Sequence, residues 1–325
     1  MILPDTDRGR TALAAVLWAF DAGGGMDPLQ RSVLRTFARD LYGMAADEEL
    51  PAPLPVEGFL ATGPDHELCE GTVSLMVVLE MLGHPLSPAV AAAVARYATA
   101  LGVSLPMVHA ARHLAAQHLV HLHADFERSS WYTNQKVHGA LHGQLLRLVR
   151  SKLAYSGVVA DPRIAARWEA LADCPAGSWG RAVADFYERH RFPFPGERGG
   201  IEETGAKHDF VHVLAGYDAT PIGEIEVFAF IAGSMHGSWG LAMLCFTLGI
   251  FQNDAIHTIG GRRVAIARAD TLSEPGNVDR FGEALVRGQA TTVDVMAGVD
   301  HFAYAAADLE DVRQQFGVLP RVTID

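Results

Sequence analysis

His208 and His212, with Asp209 beside the first and Glu224 one turn of chain further on, combine residue types and spacings that suit a metal ion. Side chains four residues apart on a helix share a face and stand about 6 Å apart, so both imidazoles can reach one cation. Asp209 lies a fraction of a turn away and can bind directly or from behind a ligand. Gly216 reads as a helix stop, Asp218 to Pro221 as a turn, and Pro221 as the opening of a second helix whose first turn brings Glu224 to the same point. The expected ligand set is therefore His208, Asp209, His212 and Glu224. Nitrogen and carboxylate donors without thiolate suit a divalent metal, zinc first, with iron or manganese as alternatives. A mixed set of this kind leaves a position open for water or substrate, and Asp209 and Glu224 are the candidate catalytic acid–base groups. His109 with His113, and His138 with His142, repeat the four-residue spacing without matching carboxylates, and in a chain with 15 histidines they read as ordinary helix surface.

The pattern HDxxH followed after eleven residues by Glu resembles the signature of the ubiquinone (coenzyme Q) biosynthesis protein four family, complete at His208, Asp209, His212 and Glu224. The resemblance extends through Gly177-Ser178-Trp179-Gly180-Arg181-Ala182, Phe194-Pro195-Gly196-Glu197, Arg287-Gly288 and Val312-Arg313, and covers residues from about 160 to 320. It implies an all-helical fold, a zinc or similar divalent ion, and a long apolar tunnel for an isoprenoid tail. The implied activity is removal of the ring carboxylate of a polyprenyl hydroxybenzoate with hydroxylation at the same carbon; an older implied role is a scaffold for other quinone-pathway enzymes. The half of the chain before residue 150 has no counterpart in the short members of that family, so the substrate is left open among prenylated, polyketide and other aromatic acids.

Immediately after Glu224, residues Val227 to Asn253 contain no Asp, Glu, Lys or Arg. The run is long enough to cross a bilayer, but Gly233-Ser234, His236 and Gly237-Ser238 divide it, and two buried helices are expected instead. Phe228, Phe230, Met235, Trp239, Met243 and Phe246 are the candidate lining of an apolar tunnel whose inner end is the metal. A hydrophobic small-molecule substrate would bury its tail there, each methylene contributing about 0.8 kcal/mol.

The composition frames this reading. At 325 residues the chain is long enough for two domains, and 49% hydrophobic with 20% charged residues is a globular balance. A net charge of -12 lacks the basic footprint that nucleic acid requires, and no nucleic-acid partner is expected. Cys69, Cys174 and Cys245 are odd in number and widely spaced, which fits neither a disulfide framework nor a zinc ribbon. The first residues carry no basic segment followed by an apolar run, so a cytoplasmic protein is expected, with peripheral membrane contact and a homodimer as further options.

The elements that must position these groups read as helix after helix. Helices are predicted from Asp7 to Asp21, from Asp27-Pro28 to Tyr42, from Asp65 to Leu82, from Ser87-Pro88 to Leu101, from Ser104 to Leu122 and from Trp131 to Leu153, with Glu48 to Pro64 as loop. Strand signals are nearly absent, and the fold class is all-α, in two helical domains: residues 1–155, and residues 156–325 as a metal-binding helical bundle with an apolar tunnel. The boundary is placed near Ala154 to Pro162. The N-terminal half, with its Gly-rich link Asp21 to Asp27, resembles a TerB-like (tellurite-resistance) helical domain, though those residues also serve as plain turn and cap chemistry.

The expected function is that of a metal-dependent enzyme acting on a hydrophobic aromatic or prenylated carboxylic acid by decarboxylation, oxidative or not. A non-catalytic isoprenoid-binding scaffold is the alternative from a different class. A metal phosphohydrolase of the HD type is a third, although it would need a further upstream His and a downstream Asp as ligands.

Overall fold

The computed structural model describes residue 1 and residues 3–108, 111, 160–235, 238–253, 258–259, 262–263 and 269–322. Its helices are α1 (Thr6–Ala22), α2 (Pro28–Asp40), α3 (Val56–Ala61), α4 (His66–Glu80), α5 (Pro88–Ala100), α6 (Pro162–Glu169), α7 (Trp179–His190), α8 (Glu203–Ala215), α9 (Pro221–Ser234), α10 (Ser238–Phe251), α11 (Asn277–Ala290) and α12 (Leu309–Gln315). Among the described residues β-structure is confined to Thr258–Ile259 paired with Arg262–Arg263 and two isolated bridges, so the protein is all-α as expected.

Helix starts follow the local chemistry of the sequence. Asp27 accepts the Gln30 amide while the Gln30 side chain accepts the Asp27 amide, a reciprocal cap with Pro28 in the first turn. Asp65 and Ser87 cap α4 and α5 by accepting the amides of Leu68 and Val90. The segment Glu48 to Pro64, expected as loop, contains the single short helix α3, which buries Phe59. Burial of one aromatic ring against Tyr97 compensates there for the proline and glycine content that argued against helix. The predicted helix Trp131–Leu153, most of Ser104–Leu122, the pairs His109/His113 and His138/His142, and most of the expected boundary lie outside the described residues.

The charge-free run divides as predicted. α9 ends at Ser234, Met235 is extended, and α10 starts at Ser238. No described helix is long and apolar enough to cross a membrane. Both α9 and α10 are apolar on almost all sides, which requires burial on all sides. α9 is covered by α8, α10 and, most extensively, α11. That last pair approaches closely because Gly288 has no side chain: a Cβ there would stand 2.1 Å from the Phe230 carbonyl oxygen.

The N-terminal helices are packed onto this centre. α1 lies on α4 and α5, α2 reaches α11, and α4 reaches α10. Phe37 meets Phe281 at 5.7 Å, Arg39 pairs with Asp279 at 2.8 Å, and the Asn253 amide donates to the Met81 carbonyl at 2.8 Å. Buried residues from both ends of the sequence thus form one contiguous core.

His301 lies in that core, between Trp179 and Phe210. Its Nε2 bonds the Val295 carbonyl at 2.9 Å, and its Nδ1 is buried without a partner. Burial, helped by the Lys207 charge, lowers its pKa to about 4. Because the folded pKa lies below the ordinary value of about 6.5, the stability is intact above that value and declines as pH falls from it to about 4. Glu202 works in the opposite direction, since burial and Glu203 raise it to about 7.

Two outcomes follow. Gly288→Ala should lower the unfolding free energy by about 3 kcal/mol, read from the denaturant midpoint, since the methyl group meets backbone that cannot rotate away. Compared with His301→Gln, the wild-type chain should lose up to about 3 kcal/mol more stability between pH 6.5 and 4, measured by denaturation across that window; equal pH profiles would contradict the buried neutral imidazole.

Candidate metal centre

α8 and α9 form the helix–turn–helix that the spacing predicts. α8 ends at Gly216, whose φ of 77° is the left-handed conformation that lets the chain reverse; the amides of Gly216 and Tyr217 both return to the His212 carbonyl. Thr220 then caps α9 by accepting the Gly223 amide, with Pro221 in the first position. Glu224 is in the first turn of α9 and faces back toward α8.

The donor atoms converge. His212 Nε2 is 3.4 Å from Glu224 Oε1, and His208 Nε2 is 3.7 Å from Glu224 Oε2. One donor atom each from His208, His212 and Glu224 lie within 4.8 Å of one another. The orientation of both rings is set from behind: His208 Nδ1 bonds the Gly205 carbonyl at 2.6 Å, and His212 Nδ1 bonds the Tyr217 carbonyl at 3.3 Å. With Nδ1 engaged by a carbonyl acceptor, Nε2 is the nitrogen left to face the centre, which is the arrangement metal-binding histidines require. The His212 side chain is fully buried and its Nε2 has no hydrogen-bond partner.

Asp209, the fourth expected ligand, is adjacent but stands outside that group of three. Its Oδ1 is 3.4 Å from His208 Nε2, and its Oδ2 accepts the hydroxyl of Tyr187 on α7.

Burial and charge oppose each other throughout the site. Burial lowers the His208 pKa, but Asp209 and Glu224 outweigh it and bring the value to about 9. Burial would likewise raise Glu224, yet His212 and His208 hold it well below the usual carboxylate range. For Asp209 burial prevails over both imidazoles and raises the pKa. The His208 imidazole is thus held in its cationic form by the carboxylates around it.

Aromatic rings wall the centre. Phe228, one turn beyond Glu224, stacks on His208 at 5.3 Å, and Phe186 of α7 stacks on His212 at 5.5 Å. Of the six candidate tunnel residues, Phe228 is thus brought to the site. Phe230 faces elsewhere, fully buried against Tyr217 and the Arg287 guanidinium. Met235 is buried in the break after α9, and Trp239, Met243 and Phe246 are half-buried on α10. A surface cavity of about 520 Å³ lies between α7 and residues 192–197, with Tyr187 in its lining, and another of about 250 Å³ lies between α2 and Asp279; none of the six lines either one.

Several supporting groups carried no signal of a role at the site. Trp179 donates its indole N–H to the Phe210 carbonyl at 2.9 Å, fixing α7 to the middle of α8. Three arginines close the C-terminal end of α8. Arg313 donates to the Leu214 and Val213 carbonyls at 2.8 and 3.0 Å, Arg287 to Ala215 at 3.0 Å, and Arg321 to Gly216 at 3.1 Å. Arg287 and Arg313 fall in segments that carry the family resemblance, but their spacing says nothing of which carbonyls they meet. Tyr187 occupies an ordinary inward position of an amphipathic helix.

Compared with protein-family models, with curated proteins and with solved structures, the chain matches none.

Replacing Arg313 with Ala should strip two charge-assisted hydrogen bonds from the end of α8 and cost about 2 kcal/mol in denaturant unfolding. An unchanged midpoint would mean that water serves these carbonyls equally well.

Proposed function

We propose that the chain is a metal-dependent enzyme that removes the carboxylate of a hydrophobic aromatic or prenylated acid. The observation that carries this reading is the convergence of His212 Nε2, His208 Nε2 and the Glu224 carboxylate, one donor atom of each within 4.8 Å of the others, in a largely buried position. Buried donors brought together in this way are satisfied by a cation between them. The donor set fits a divalent ion: two imidazoles already oriented through Nδ1 and one carboxylate, with no thiolate. His208, His212 and Glu224 would hold it, zinc being the first choice and iron or manganese the alternatives.

When bound, such an ion polarises a carboxylate or phenol oxygen and stabilises negative charge that develops next to it. The chain's own groups account for the rest. Phe228 and Phe186 flank the imidazoles and keep water from the centre, which strengthens every charge interaction inside it. Asp209, outside the group of three donors and joined to the Tyr187 hydroxyl, is positioned to deliver a proton. In the simple reaction the ring carbon loses carbon dioxide, retains the bonding electron pair and takes up that proton. In the oxidative form dioxygen is the two-electron oxidant, and the acid, dioxygen and water give the phenol, carbon dioxide and hydrogen peroxide. The resemblance to the ubiquinone biosynthesis protein four family supports the substrate class, and Phe228, stacked on His208, supports an apolar group beside the site.

The test is elemental analysis of wild type and His212→Ala, together with assay of carbon dioxide release from a polyprenyl hydroxybenzoate with and without air. About one equivalent of metal per wild-type chain, lost in the variant, is the expected result. Wild type lacking stoichiometric metal would overturn the reading. A metal-loaded chain that binds the acid without releasing carbon dioxide would make it a binding scaffold instead.

A further inference from the structure

The separation of His212 from Glu224 depends on the corner where α8 turns into α9, and one residue beyond α12 spans that corner. Gly216 closes α8 one turn after His212, and its left-handed backbone permits the reversal without fixing the angle at which α9 leaves. Glu226 follows Glu224 by two residues, which places it on the opposite side of α9, where its side chain is fully buried. Arg321 Nη1 donates to the Gly216 carbonyl at 3.1 Å and Nη2 to Glu226 Oε1 at 2.6 Å, with the guanidinium 5.1 Å over the ring of Tyr217 in the turn between them. Its neighbours hydrogen-bond to one side only. Arg313 bonds carbonyls of α8, Arg287 bonds the Ala215 carbonyl and the Tyr217 hydroxyl, and Arg280 on α11 binds both oxygens of Glu226. Among the described residues, Arg321 is thus the guanidinium hydrogen-bonded to both sides of the corner.

We propose that Arg321 is a positioning residue of the metal centre. It braces the corner between α8 and α9 from the side away from the donor atoms, and so keeps the His212 imidazole and the Glu224 carboxylate near enough to serve one ion. The proposal rests on the metal-site reading above. A brace of this kind acts on affinity through preorganisation: without it, part of the binding free energy of the ion goes into ordering the two helices against each other. The guanidinium fits the task because its donors lie in one rigid plane and can reach two acceptors at once, whereas an ammonium is a point charge on a flexible stem. Arg280 supplies a natural comparison, since it holds the same buried carboxylate without touching α8.

The experiment measures the affinity of the full chain for zinc(II), by competition with a chromophoric chelator, in wild type, Arg321→Gln, Arg280→Gln and Arg321→Lys. The denaturant midpoint of each metal-free chain is recorded alongside. Both glutamine variants take one partner from Glu226 and should lower that midpoint. Only Arg321→Gln should weaken zinc binding, by about 10-fold, the lower end of what loss of a group supporting the ligands costs; Arg280→Gln should stay within about twofold of wild type. Arg321→Lys keeps a cation for Glu226 and preserves the fold, yet cannot span both acceptors, so its affinity should fall as well; if Arg321→Gln does not fold, this variant decides. Equal losses of affinity in Arg321→Gln and Arg280→Gln would reduce Arg321 to general stability and overturn the proposal. Wild-type affinity in Arg321→Lys would overturn it too, since charge on Glu226 would then suffice. Should wild type take up no zinc(II), the metal reading itself fails; should wild type load normally and Arg321→Gln match it, only the role of Arg321 fails.

Discussion

A helix leaves its last carbonyls without intrahelical partners, and α8 ends, partly buried, directly beside the proposed ion. The His212 carbonyl is served by the backbone of the reversing turn, and the carbonyls of Val213, Leu214, Ala215 and Gly216 are served by Arg313, Arg287 and Arg321. Guanidinium groups suit this role because each carries several donors in a rigid fork and a permanent charge opposed to the negative end of the helix dipole. The turn that follows depends on this closure, and so does the Tyr217 carbonyl that orients His212. The same arginines bind the C-terminal segment to the bundle. Arg321 continues from Gly216 to the buried Glu226, which also holds Arg280, and Arg287 reaches the Leu319 carbonyl.

With the helix end secured, the charges at the centre can be arranged against their ordinary preferences. Burial disfavours ionised groups, yet two imidazoles and two carboxylates share a space nearly closed to solvent, with exposures of 16, 6, 0 and 14% for His208, Asp209, His212 and Glu224. His208 and Glu224 tolerate it because each faces the other's charge, and the groups behind the site are uncharged acceptors or donors: two backbone carbonyls and one tyrosine hydroxyl. The aromatic rings of Phe186 and Phe228 exclude water without adding hydrogen-bonding competition.

The wider fold serves the same end through close packing. α9 carries Glu224 at its start and is apolar almost throughout, so it must be wrapped by neighbours. The approach of α11 to it, at Gly288, is near enough that one methyl group would meet backbone. α2 and α4 then close the outer side of α11 and α10, so residues early in the sequence help to hold the helix that bears Glu224.

Local chemistry was sufficient to read much of this from the sequence. The caps at Asp27 and Ser87, the reversal at Gly216, the break in the charge-free run and the shared face of His208 and His212 each depend on neighbours within a turn or two. Glu224 could be placed because only eleven residues separate it from His212, and a short turn between helices allows few paths. What the tertiary structure alone decided is which partner each buried group takes. Asp209 meets the Tyr187 hydroxyl, Phe230 turns toward Arg287 while Phe228 faces His208, and arginines some 70 to 100 residues away in sequence end α8. The physical reason is that a buried donor or acceptor must be satisfied by whatever the packing brings within about 3 Å, and that choice has no periodicity along the chain.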